Sequence, residues 1–358
     1  MSIQSPSATK KAAPSALVGA RLPRWAPVAC GVAAVALALT AKFGIGWSGW
    51  GTAFWSAALL FIIILSIWSF TIEGKRRAKD RFASTLIYSS FVAAVVPLVL
   101  ILGYIVVKGW GTLSADFFTH SMNGVSTRKE GGGVYAALIG TLQQVAIAAV
   151  IALPIGLFTS IYLVEYGKGR YAKVVTFFVD VMTGVPSIVA GLFVYTFLLI
   201  GFGLRPFGAA GAIALALLML PVAVRSSEEM LKLVPRELRE SSYALGVPRW
   251  RTILKVVLPT AASGLITSAL LAVARVAGET APLILLVGYT ASINTNPFSG
   301  DQATLPMMIW DQLGKLGGSV TDNTSGRAWG AALTLVLLVL ILNVVARVIA
   351  RLVRPKAR

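Results

Sequence analysis

Long apolar runs alternate along the chain with short connectors that are polar and mostly basic. Eight runs stand out, at 26–41, 52–71, 84–107, 135–164, 174–200, 208–224, 260–288 and 328–349. A helix crossing hydrocarbon needs about 20 apolar residues, with a range of about 17–25. The first and sixth runs are short, and the fourth and seventh are long. All are continuous rather than alternating, which selects helices over the strands of a barrel. The pattern predicts an all-α polytopic membrane protein with about eight transmembrane helices. Pro97, Pro154, Pro186, Pro221 and Pro282 fall inside runs and predict kinks, which neighbouring helices can accommodate.

The connectors divide the chain. Residues 1–25 are rich in Ser, Ala, Pro and Lys without an apolar period, and predict a disordered tail. Residues 26–83 form a hairpin of two spans and a basic loop holding Lys75, Arg76, Arg77, Lys79 and Arg81. Residues 84–134 supply a third span and a polar loop with the run Gly131-Gly132-Gly133. Residues 135–350 hold the other spans, with a basic loop at 225–259, and 351–358 form a second tail. Residues 167–176 read as a short interfacial helix.

With the N-terminus in the cytoplasm, about three quarters of the 32 Lys and Arg fall on the cytoplasmic side. Both termini are then cytoplasmic, and the polar loops at 108–134 and 290–327 lie outside as solvated connectors. The same bias explains a net charge of +18 without a nucleic-acid partner. A hydrophobic content of 56%, a charged content of 13% and a mean hydropathy of +0.79 agree with a lipid bilayer as the surroundings. One cysteine, Cys30, and one histidine, His120, leave no internal disulfide, thiolate cluster or His-rich metal site. No phosphate-cradling Walker glycine loop is present, so no ATP site, metal, cofactor or catalytic residue is expected in the chain itself.

Two stretches carry the chemistry. The first is 237–259, ELRESSYALGVPRWRTILKVVLP. Pro235 and the acidic Glu237 and Glu240 open a helix, and Gly246 ends it as a left-handed residue. Pro248 starts a second short helix that Pro259 closes. The result is a two-armed bracket on the membrane surface, able to bind a soluble partner. The second is the charge pair Arg275 and Glu279, at i and i+4 in the run 260–288 and predicted on one helix face. Arg275 lies about 24 Å of helix beyond Pro259, deep in the hydrocarbon. A charge there costs at least about 2.5–3.5 kcal/mol and normally faces an interior or an aqueous path.

Both stretches resemble one family. Glu240-Ser241-Ser242, Gly246 and Val256-Val257-Leu258-Pro259 fall at the spacings of the cytoplasmic loop of ABC importer permeases, with serines for two alanines and valine for isoleucine. The resemblance implies a six-helix type I importer core and a coupling helix that docks on an ATPase. It implies coupling roles for Glu240, Ser241, Ser242, Gly246, Leu258 and Pro259. ARVAGETAPL, with Leu305–Ile309 and Asn343–Arg347, resembles the A-type subunit of phosphate-specific ABC permeases. That likeness places Arg275, Glu279 and Thr280 on the substrate path. It also implies a homologous C-type permease, an ATPase dimer, an external phosphate-binding protein and a bacterial cytoplasmic membrane. A permease for sulfate, molybdate or phosphonate, or a secondary transporter or channel working alone, remains the alternative.

Overall fold

A computed structural model describes residues 22–44, 46, 49–314 and 322–352. Most of the two tails, and Lys315 of the outer loop, lie outside the described residues. Helices and no strands occur among them. Seven helices are long and apolar enough to cross a membrane, eight if one sharply bent pair counts as a single span. The chain divides into two compact units, Met1–Leu102 and Gly103–Arg358.

In the first unit, α1 (Ala26–Gly44) packs on α2 (Trp50–Glu73), and α3 (Lys75–Gly109) follows, its last turns from Gly103 belonging to the second unit. Ala26, Cys30, Ala34 and Ala38 recur every fourth residue and are all buried, so small side chains let α1 approach its neighbour closely. Lys75–Arg81, expected in a loop, instead open α3. Glu73 holds this end together. Its carboxylate accepts from the Leu22 amide (2.8 Å), the Ser69 hydroxyl (2.7 Å) and the Arg81 guanidinium (2.8 and 2.9 Å). Leu22, expected in the disordered tail, is therefore packed and bonded.

The second unit is built around α8 (Gly208–Lys232), whose Gly- and Ala-rich N-terminal half is almost entirely buried. Its neighbours are α5 (Tyr135–Ile161), α6 (Arg170–Gly184), α7 (Ser187–Val194) and α11 (Leu258–Ala277). Helix α8 runs past the expected end at 224 into the basic stretch, because Ser226–Lys232 stays helical and carries its own ion pairs. Ahead of α5, the short α4 (Ala115–Thr119) and the turns after it fold back toward α14 (Asp322–Leu352). Arg327 of α14 is buried and donates to the Ser126 and Lys129 carbonyls, fastening that loop.

Three further expectations from the sequence are corrected. The run 174–200 is not one straight helix: α6 and α7 meet at 106°. Pro186 forces Val185 into an extended backbone (φ −71°, ψ 124°), which ends α6 before a new helix starts. The run 260–288 also breaks. Helix α11 stops at Ala277, and α12 (Ala281–Leu286) begins after Gly278, Glu279 and Thr280. Third, the outer loop is not merely solvated. Gln302, Thr304 and the start of α13 (Leu305–Gly314) are buried, with Gln302 bonded to Gln143 and Gln144 of α5 and the Leu305 amide to Thr141.

Candidate functional site

The bracket consists of α9 (Arg236–Ala244) and α10 (Arg249–Thr252). Pro235 caps α9 and Glu237 lies in its first turn. Gly246 has φ +75°, and two bonds close the end: the Gly246 amide to the Tyr243 carbonyl (2.9 Å) and the Val247 amide to the Ser242 carbonyl (3.2 Å). Those are the paired bonds of a Schellman stop, which a glycine in the left-handed region satisfies without Cβ strain. The Ser242 and Thr252 hydroxyls, both buried, share a 2.8 Å hydrogen bond between the arms.

Arg239 welds the bracket to the bundle. It donates to Glu165 at the end of the α5 span (2.9 and 3.0 Å), to the Leu231 carbonyl in the last turn of α8 (2.9 Å) and to the Val234 carbonyl just beyond it (2.5 Å). Both side chains are largely buried, with 14% and 5% exposed. Nearby, Arg225 pairs with Asp180 of α6 and with Glu228, which also accepts from Lys232. The sequence flagged none of these as a unit. Glu228 with Lys232 is readable at i and i+4, whereas Glu165 with Arg239 and Asp180 with Arg225 are joined only by the fold.

The six residues assigned to the bracket separate by position. Glu240 and Ser241 are exposed on α9, while Ser242 turns inward to Thr252. Leu258 packs with Val257, Val234 and Leu231. Pro259, expected to close the second arm, stands near the start of α11 in a helix that is continuous from Arg249 to Ala277, 29 residues. A π turn at Ile253–Val257 precedes it, with the Leu258 amide bonded to the Ile253 carbonyl. That widened turn takes the ladder off the i−4 register, where a proline would otherwise clash and leave a gap.

At the far end of the same helix lies a cavity of about 240 Å³. It sits where the two helix breaks meet, and Thr183, Pro186, Ser187, Pro221 of α8, Arg275 and Glu279 are among the residues that line it. Helices α7 and α12 are pressed together here: a Cβ on Gly191 would come within 2.7 Å of the Pro282 Cα. Arg275 and Glu279 thus share a cavity but not a helix, and they form no ion pair with each other. Neither side chain has a hydrogen-bond or ion-pair partner among the described residues, and the same holds for the Ser187 hydroxyl. Thr280 does not line the cavity; it is the N-cap position of α12 without a side-chain cap bond.

Residues 152–358 match the family described as binding-protein-dependent transport system inner membrane component. The chain belongs to that family. The permease is 50% identical over 268 residues to the phosphate transport system permease protein PstA 1 of Mycobacterium tuberculosis (strain ATCC 25618 / H37Rv), a match covering 74% of this chain and 85% of that protein. Its identity to the PstA of Mycobacterium leprae is 48%, covering 75% of this chain and 87% of the other, and to that of Yersinia pestis 40%, covering 75% and 88%. A solved bacterial alginate ABC transporter, in complex with an alginate pentasaccharide-bound periplasmic protein, superposes with a TM-score of 0.53 at 15% identity, covering 79% of the permease and 100% of that chain. The fold is that of a type I ABC importer permease. In this permease one unbroken helix joins the bracket to the charged cavity.

Proposed function

We propose that this chain is the A-type permease subunit of an ATP-driven phosphate importer, and that the cavity at the paired helix breaks is its phosphate path. The observation that supports the reading is Arg275, an unpaired guanidinium in a cavity within the spans. Its planar fork suits a tetrahedral oxyanion, and a site without a tight internal ion pair can take up and release one. The importer would comprise this permease, a homologous C-type permease, two ATPase copies and an external phosphate-binding protein, in a bacterial cytoplasmic membrane.

Coupling follows from the bonding of the bracket. The exposed Glu240 and Ser241 face of α9 docks on the ATPase. Motion of α9 passes through the Schellman stop and the Ser242–Thr252 bond to the helix Arg249–Ala277, about 43 Å long, and so to the break beside Arg275. ATP hydrolysis belongs to the partner, and this chain conducts.

The test is uptake of labelled phosphate by the assembled complex, normalised to complex in the membrane. Arg275→Gln is expected to abolish most uptake and Arg275→Lys to restore part of it; normal uptake in both removes the assignment. Orientation has its own test, with Cys30 replaced and single cysteines at positions 79 and 299. An impermeant thiol reagent on intact cells is expected to label 299 and not 79.

A further inference from the structure

Arg275 offers only donors, so by itself it attracts any tetrahedral oxyanion. Glu279 in the same cavity does the opposite, because a carboxylate is acceptor-only. The sequence suggested that Glu279 would occupy Arg275 across one helix turn. The break at Gly278–Thr280 instead leaves the carboxylate without a partner among the described residues and turned to the same space. An anion entering this cavity therefore meets a cation and a negative acceptor together.

Only an anion that carries its own donor satisfies both. Sulfate holds no proton at neutral pH, so its oxygens would place acceptor against acceptor and charge against charge at Glu279. Hydrogen phosphate and dihydrogen phosphate each keep at least one P–OH. We propose that Glu279 makes the permease itself selective for protonated oxyanions. The P–OH donates to the Glu279 carboxylate while Arg275 holds the opposite oxygens. The Ser187 hydroxyl, half-buried and without a partner among the described residues, donates to a third oxygen. No proton is transferred and no bond is made or broken. This inference rests on the reading of the cavity as the phosphate path.

An unmet acceptor against a charged group corresponds to a discrimination of about 10–100-fold. The experiment uses the complex of permeases and ATPases in nanodiscs, without the external binding protein, so that protein's own selectivity does not enter. Labelled phosphate is bound at pH 7 and displaced by unlabelled phosphate, sulfate or monofluorophosphate, the last a tetrahedral dianion with no proton at that pH. For the wild type, sulfate and monofluorophosphate are expected to need about 10–100 times the concentration of phosphate. In Glu279→Gln, whose amide can donate to a proton-free oxygen, the gap is expected to close to within about threefold. Ser187→Ala is expected to weaken all three anions alike and to keep their ratio.

Equal displacement by all three anions in the wild type overturns the inference, and that comparison needs no variant to assemble. A gap that persists undiminished in Glu279→Gln also overturns it. Phosphate binding that is absent from the wild type, or unaffected by Arg275→Gln, overturns the phosphate-path reading and the inference with it.

Discussion

The bracket and the cavity are the two ends of one helix, and they treat polar groups in opposite ways. At the bracket Arg239 donates to a carboxylate and two carbonyls, Ser242 and Thr252 bond each other, and Gly246 completes a helix stop. At the cavity Arg275, Glu279 and Ser187 have no such partners among the described residues. A segment that transmits motion loses it at every loose joint, and the bonded bracket suits the coupling role proposed for it. A segment that handles a passing anion, as proposed for the cavity, needs donors and acceptors that are not already taken. Satisfied and unsatisfied polar groups thus distinguish the proposed coupling element from the proposed conducting one, at the two ends of the helix Arg249–Ala277.

Substitutions that exchange these characters test the contrast. The largest expected effect is from Arg239→Ala, which leaves the buried Glu165 carboxylate alone at a cost of about 3–5 kcal/mol. Thermal unfolding of the purified complex should fall steeply, and the double variant Arg239→Ala with Glu165→Ala should recover part of the loss. Next is Arg275→Gln, for which uptake should drop about 100-fold, equivalent to about 2.7 kcal/mol, while thermal stability stays near wild type. A loss of stability comparable with that of Arg239→Ala would erase the difference between the two ends.

Gly246→Val is third, since a left-handed backbone costs an L-residue about 1–2 kcal/mol and a β-branched one is poorly placed there. ATP hydrolysis should continue while uptake per ATP falls, and Gly246→Asn should be milder. Smallest is Ser242→Ala, worth about 1 kcal/mol for one hydrogen bond. A cycle with Thr252→Val should give a coupling energy of that order, whereas strictly additive losses would separate the arms energetically.

Much of this design is legible in the sequence, and the parts that are not share a cause. Apolar runs report the medium around a segment, so the spans and the basic connectors are readable directly. The runs do not report direction. Residues 174–200 stay apolar through a 106° bend, and 260–288 through the break after Ala277. Pro186 and Gly278 marked both places, but the apolar pattern continued across them and hid the interruption. The opposite error occurred at Pro259, where a stop signal sits in an unbroken helix because the π turn before it shifts the bonding register. Glu165 with Arg239 and Asp180 with Arg225 depend on which helices become neighbours, which no local spacing encodes. The burial of Gln302 and Thr304 was missed likewise, because their polarity matched a solvated loop while their partners lay on α5.

Because no loop interrupts Arg249–Ala277, the number of residues between the bracket and Arg275 sets the angle at which that guanidinium points. One inserted residue would rotate the far end by about 100° and advance it by about 1.5 Å, swinging Arg275 away from the cavity. Seven inserted residues, close to two full turns, would bring it back to nearly the same angle but about 10 Å too far along. The helix thus sets the distance and the angle between the bracket and the cavity, as a ruler sets a length.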